Sequence, residues 1–299
     1  MEEKKRLIII DGNSLVHRSY HALPPLTTKK GELVNAVYGF LLVFLKAIRE
    51  LKPGFIVACF DLPAPTFRHQ KYLAYKATRP KAPDELYNQL PKTKEVLKEF
   101  GIQIFEKEGF EADDIIGTIA KMAAQKQVFP EIEIIILSGD LDTLQLINEN
   151  TKVYALKRGL KDTILYDENM VEERYQGLTS EQLPDFKALK GDPSDNIPGV
   201  PGIGEKTAIE LIKRFSSLEN LYQELENKTE KIKELKEKLR DILLRNKEQA
   251  FFSKMLVTIE KNVPIEFNLK KCQWGEYSRK SVIRLLKDLE FYSLIKRLP

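Results

Sequence analysis

Residues 6–11 read RLIIID, and the reading of this stretch decides the fold. Its large apolar residues run without polar alternation, the pattern of a strand buried on both faces in a parallel sheet. The pattern returns at Phe55–Phe60 (FIVACF) and at Ile132–Leu137 (IEIIIL). Between these runs, Leu33–Arg49 places Val34, Val37, Leu41, Phe44, Leu45 and Ile48 on one helical stripe. Glu111–Ala124 does the same with Ile115, Ile116, Ile119 and Met122. Strand–helix alternation predicts an α/β fold, a central mostly parallel sheet flanked by helices and joined by right-handed crossovers. Val153–Ala155 and Ile164–Tyr166 predict a later hairpin or edge pair. From about Thr179 the pattern turns to helices and turns, and residues 221–250 are rich in Lys and Glu with leucines at helical spacing. The expected organisation is an α/β domain over 1–178 and a helical region over 179–299.

The 299 residues suffice for one large domain or two ordinary ones, and 42% hydrophobic content is that of a chain with a packed core. No apolar run approaches the ~20 residues needed to span a bilayer. The charged start MEEK enters the first strand without the apolar core or cleavage site of a signal peptide, so a cytoplasmic location and no membrane partner are expected. Cys59 and Cys272 belong to no CxxC or Cys/His cluster, which argues against zinc and disulfides. Cys59, inside FIVACF, reads as a buried small residue. The net charge of +4, from 48 basic and 44 acidic residues, says little by itself. Its distribution says more.

Each of the three strands ends in acid: Asp11 after Ile10, Asp61 after Phe60, and Asp140 and Asp142 in SGDLD after Leu137. Open parallel sheets bind ligands beyond the carboxyl ends of their strands. Glu111, Asp113 and Asp114 come from EADD at a predicted helix start, and Asp192 and Asp195 from GDPSDN. Any one of these acids also fits a helix cap or turn. Together they are too many like charges to gather without cations. Oxygen ligands without His or Cys select Mg²⁺, with Mn²⁺ as substitute, and there are acids enough for two ions. Such pairs stand ~4 Å apart and clamp both oxygens of a phosphodiester displacement.

Between Asp61 and Asp84 there is no acid, while Phe67, Arg68, Lys71, Tyr72, Tyr75, Lys76 and Arg79 interleave bases and rings. Basic groups neutralise phosphates and rings stack on the bases of single strands. The spacings of three and four would let Arg68, Tyr72, Tyr75, Lys76 and Arg79 share one helical face. The alternative is an amphipathic helix whose tyrosines pack on the core. In IPGVPGIGEKTAIELI, Gly199, Gly202 and Gly204 precede a helix that starts near Glu205–Lys206. Glycines let backbone approach a phosphate, and the helix start offers N–H groups to it. This is a helix–hairpin–helix pattern, which grips DNA backbone without reading bases; Ile203, Lys206 and Thr207 complete it. The alternative is a plain interhelical turn.

The blocks DGNSLVHRSYHAL, FDLPAPTFRHQKYLAYKATRP, GFEADDIIGTIA, SGDLDTLQL and GDPSDNIPGVPGIGEKTA, in this order, resemble the 5′-nuclease, or flap endonuclease, family. Within it the match is to 5′→3′ exonuclease domains of the bacterial polymerase I type. The resemblance implies a resolvase-like (PIN-like) α/β domain with a helical arch over about 65–91 and a helix–hairpin–helix over about 196–215. It implies a first metal site among Asp11, Asp61, Glu111 and Asp113, with Asp114 beside them, and a second among Asp140, Asp142, Asp192 and Asp195. Lys76 matches the catalytic lysine, Arg68 and Arg79 the phosphate-contacting arginines, and the hairpin a site where the family binds K⁺ through carbonyls. The implied enzyme is a monomeric, bacterial, nucleoid-associated nuclease cutting 5′ flaps, nicked or branched duplex and RNA-primer ends to leave 5′-phosphates, alongside a DNA polymerase and ligase. A non-catalytic DNA-binding module of the same fold, or an RNA-processing nuclease, are the alternatives. The chain stops at Pro299, short of the proofreading and polymerase region of that type, as a free-standing nuclease or a shortened chain does.

Overall fold

Six strands form one sheet in the computed structural model, which describes residues 5–125 and 132–299; the charged start Met1–Lys4 lies outside the described residues. They are β1 (Lys5–Asp11), β2 (Phe55–Cys59), β3 (Gln103–Phe105), β4 (Ile132–Ser138), β5 (Thr151–Arg158) and β6 (Asp162–Tyr166), in spatial order β3-β2-β1-β4-β5-β6. All pairs are parallel except β5 with β6, the expected hairpin. The three-residue β3 has no counterpart in the sequence reading; it lies at the sheet edge and pairs through Val57↔Gln103 to Cys59↔Phe105.

The continuous apolar runs are explained by cover on both faces. Ile8, Ile10, Ile56, Ala58, Ile135 and Leu137 face one core with the helix Asn35–Leu51, whose Val37, Phe40, Leu41, Phe44 and Ile48 are buried. Across the other face, the helix Ala112–Ala123 packs on β1, β2 and β4. The first strand, β1, is the switch point: the chain winds outward to β2 and β3 on one side, then returns to β4 on the other. Ligands of such sheets bind at that point, beyond the carboxyl ends.

The chain divides into two compact units, but not at residue 178. The first holds the chain up to Ala64, Lys81–Asp167 and Glu260–Pro299; the second holds Pro65–Pro80 and Glu168–Ile259. The C-terminal stretch joins the first unit because Val282, Leu286, Leu289, Phe291, Leu294 and Leu298 complete the core around Asn35–Leu51 and the helix Gln89–Glu99. Of the expected region 179–299, residues 260–299 group by contact with the first unit.

The second unit is helical, built on Phe186, Leu189, Ile203, Ile209, Ile212, Phe215, Leu221 and Tyr222 among others. Its helices Leu183–Lys190 and Glu205–Phe215 flank a turn pinned by a bridge between Asp192 and Ile197. The Lys- and Glu-rich stretch is helical as expected, in pieces: Leu218–Asn227 ends where Lys228 turns left-handed at φ 50°. Among the described residues no helix is long and apolar enough to cross a membrane.

Candidate metal centre and nucleic-acid interface

Asp11 is the last residue of β1 and the N-cap of the helix Gly12–Ala22, its Oδ1 accepting the Ser14 N–H at 3.1 Å. Its carboxylate is only 3% exposed. Burial pushes it up to about 6; hydrogen bonds from Ser138 and Ser14 pull it down, and the charge of Asp140 adds to the rise. Asp61 follows β2 and accepts the Ala112 N–H at 2.7 Å, while its own N–H donates to Asn13 Oδ1 at 3.1 Å. These bonds fasten the β2 end to the helix Ala112–Ala123 and to the residue pair after β1. Asp140 caps the 3-10 turn Leu141–Leu146, accepting the Asp142 N–H at 2.9 Å. Asp113 lies in the first turn of its helix, where the N-terminal partial charge favours an anion. Burial, then the charges of Asp11, Asp140, Asp142 and Glu111, raise it well above the usual carboxylate range.

Six of the expected acids are thus gathered at one edge of one unit: Asp11, Asp61, Glu111, Asp113, Asp140 and Asp142. Among the described residues no three of them close on a common point as a finished cage. The donors are all hard oxygens, so the set fits Mg²⁺ or Mn²⁺.

Asp114 has a different place from the one expected. It is fully buried, and its two oxygens accept the N–H groups of Glu111 at 3.0 Å and Glu260 at 2.8 Å. Neighbours on a helix point about 100° apart, so Asp113 faces the acid edge and Asp114 the interior. It fastens the returning segment at Glu260, beside the bond from Val263 N–H to Thr118 Oγ1 at 3.0 Å.

The last two acids lie in the second unit, already partnered. Asp192 Oδ2 accepts from Lys187 Nζ at 2.7 Å and Oδ1 from Ser194 Oγ at 2.6 Å. Burial raises its carboxyl, but the Lys187 charge and these bonds outweigh it and hold it below the usual range. Asp195, 7% exposed, accepts from Tyr75 Oη at 3.2 Å, pairs with Arg79, and stands 3.9 Å from Lys76 Nζ.

The basic segment departs most from expectation. Of the basic stretch itself, Phe67–Lys71 is the helical part; over 65–91, residues 65–80 group with the second unit, and the helices Asp84–Tyr87 and Gln89–Glu99 with the first. Tyr72 leaves the helix at φ −142°, and Lys76 is left-handed at φ 56°. A contact distant in sequence causes this, the Lys76 N–H donating to Asp195 O at 2.9 Å. Arg68 is 3% exposed, its Nε on Leu256 O at 2.8 Å and its Nη2 on Thr258 O at 2.7 Å. It caps the C-terminal carbonyls of the helix Lys247–Val257, and these bonds claim donors expected on phosphate. Tyr75 is buried with Ile197, Leu256 and Val257, and half-buried Tyr72 meets Phe252 edge-on at 5.6 Å, the packing given above as the alternative to base stacking. Lys71 and Arg79 stay exposed and Lys76 is half-buried.

In the glycine turn, Gly199 (φ 63°) lies so close to Gly191 that a Cβ would stand 2.3 Å from the Gly191 nitrogen. That glycine serves internal packing. Gly202 is left-handed at φ 82°, and a Cβ there would touch the end of the Ile242 side chain at 3.8 Å; Gly204 faces open space, is extended, and caps Glu205–Phe215. Ile203 is core, and Lys206 is exposed beside Thr207.

Sequence reasoning missed Asn13, Ser14, Ser138 and Lys187. All sit within a few residues of a named acid, which was the only signal.

The family model for the 5′-3′ exonuclease N-terminal resolvase-like domain matches residues 6–176, and that for its C-terminal SAM fold residues 178–280. This chain belongs to the 5′-3′ exonuclease family. Among relatives of these exonucleases, DNA polymerase I of Bacillus subtilis (strain 168) is 44% identical over 298 residues, which is 100% of this chain and 33% of that protein. The chain thus spans about a third of the length of such relatives. Solved structures share its fold. T5 5′-exonuclease with bound divalent metal ions (zinc) superposes at TM-score 0.70 and 19% identity over 96% of this chain and 99% of that one. The catalytic core of Rad2 in complex with DNA substrate does so at 0.62 and 18%, over 99% and 93%.

Proposed function

We propose that this member of the 5′-3′ exonuclease family is a divalent-metal-dependent, structure-specific 5′ nuclease that cuts DNA 5′ flaps and RNA-primer ends. The observation that supports this most is the acid edge at the sheet's switch point, where burial and like charge raise Asp11 and Asp113. Asp11, Asp61, Glu111, Asp113, Asp140 and Asp142 would hold Mg²⁺ or Mn²⁺. The resemblance adds Asp192 and Asp195, whose described partners lie in the second unit. Bound ions supply the charge that makes water a nucleophile near neutral pH and neutralises the phosphate.

The chain's own residues do the rest. Lys76 and Arg79 carry the positive charge assigned to the scissile phosphate. Gly202, Gly204, Lys206 and Thr207, at the open start of Glu205–Phe215, offer N–H groups and charge to duplex backbone, with K⁺ as a further ligand of that turn's carbonyls. Products carry a 5′-phosphate, ready for a ligase once a polymerase has filled the gap.

A 5′-labelled flap substrate, incubated with Mg²⁺ and then with EDTA, tests this. Cleavage that EDTA stops and added Mg²⁺ restores supports the reading. No cleavage identifies a non-catalytic DNA-binding module, and preference for an all-RNA flap identifies an RNA-processing enzyme.

A further inference from the structure

Two serines lie inside the motifs that carry the acids, Ser14 in DGNS and Ser138 in SGD. Ser138, the last residue of β4, is fully buried, and three hydrogen bonds meet at its hydroxyl. It donates to Asp11 Oδ2 at 2.5 Å, accepts the Asp140 N–H at 2.9 Å, and lies 3.2 Å from Ser14 Oγ. Ser14 Oγ in turn accepts the Gly139 N–H at 3.0 Å.

A hydroxyl has one proton to give, and an ionised carboxylate only accepts. The Ser138 proton is therefore committed to Asp11, and the single Ser14 proton is shared between Ser138 Oγ at 3.2 Å and the Asp11 main-chain oxygen at 3.4 Å. Both routes end on Asp11, and the Gly139 and Asp140 amides donate into the same hydroxyl pair. The ladder between β1 and β4 runs only to Ile10↔Leu137, so Asp11 and Asp140 both lie past the last paired residues. The hydroxyl pair spans that unpaired ground.

We propose that Ser138, backed by Ser14, is a positioning residue that fixes the Asp11 carboxylate against the turn carrying Asp140 and so presets the spacing of two acids from neighbouring strands. This rests on the reading of that edge as a metal site. Groups that orient a metal's ligands cost about 10- to 100-fold in metal affinity when removed.

The test is Mn²⁺ binding to the whole chain, followed by the electron paramagnetic resonance of unbound Mn²⁺, for Ser138→Ala, Ser138→Thr and Ser14→Ala. Circular dichroism confirms folding. Ser138→Ala should bind at least about tenfold more weakly, Ser138→Thr within about threefold of the parent, and Ser14→Ala between them. In flap cleavage the Mg²⁺ concentration for half-maximal rate should rise with Ser138→Ala while KM for DNA stays put. Parental affinity in folded Ser138→Ala overturns the proposal. So does a Ser138→Thr variant as weak as Ser138→Ala, because it keeps the hydroxyl. Should Ser138→Ala not fold, parental affinity in Ser14→Ala overturns it equally. A parent that binds no Mn²⁺ overturns instead the metal reading beneath it.

Discussion

Replacing Asp11 by Asn should stabilise the metal-free protein. Asp11 is raised from 3.8 to about 6, chiefly by burial. At about 1.4 kcal/mol per pH unit, its ionised form costs the folded state about 3 kcal/mol above pH 6. The sign follows from linkage: a folded-state pKa above the unfolded one means the native protein holds the proton more tightly, so stability falls as pH rises from about 4 to about 6 and stays low beyond. Asn keeps the size and the bond from the Ser14 N–H. Its Nδ2, placed at the Oδ2 position, cannot accept the Ser138 proton, and that lost neutral bond costs about 1 kcal/mol. The net expectation is a gain of about 2 kcal/mol in urea unfolding with EDTA at pH 7.5, shrinking toward zero at pH 4. With millimolar Mg²⁺ the order should reverse, because only the parent gains the stabilisation that ligand binding to the folded state brings. An Asn variant no more stable than the parent in EDTA at pH 7.5, with an unchanged urea slope, refutes the reasoning.

Further expectations concern the second unit. Arg68→Ala should cost about 2–4 kcal/mol in urea unfolding, because two carbonyls lose a buried cationic donor, and Arg68→Lys should restore little of it. Gly199→Ala should be insoluble or lose more than about 3 kcal/mol, since its Cβ meets backbone at 2.3 Å. Gly204→Ala, with open space around it, should fold within about 1 kcal/mol of the parent yet bind duplex more weakly in a fluorescence-anisotropy titration. Lys76→Ala should bind flap DNA with near-parental Kd and lose about 10²–10³ in single-turnover rate.

Where local pattern and tertiary contact agree, the chain is legible. RLIIID, FIVACF and IEIIIL are strands because helices cover both faces, and acids at their ends reach one edge because parallel strands finish on the same side. Tertiary contacts distant in sequence hide the rest. The 3- and 4-residue spacings of Arg68 to Arg79 fit a helix, but the Lys76 N–H finds Asp195 O, more than a hundred residues on, and the backbone turns left-handed. The last forty residues read as more of the helical region, yet Phe291, Leu294 and Leu298 fill the first unit's core. Asp113 and Asp114 look like a pair in sequence, although a helix must send adjacent side chains apart. Gln103–Phe105 is too short, and too polar at its start, to announce itself as a strand.

The central claim, that the carboxyl edge of this sheet holds divalent metal, is tested most directly by anomalous diffraction from crystals soaked in Mn²⁺. The account predicts an anomalous peak bounded by carboxylates of Asp11, Asp113 and the Asp140–Asp142 turn. Ordered Mn²⁺ held elsewhere, with none at that edge in a protein that cuts flaps, contradicts it.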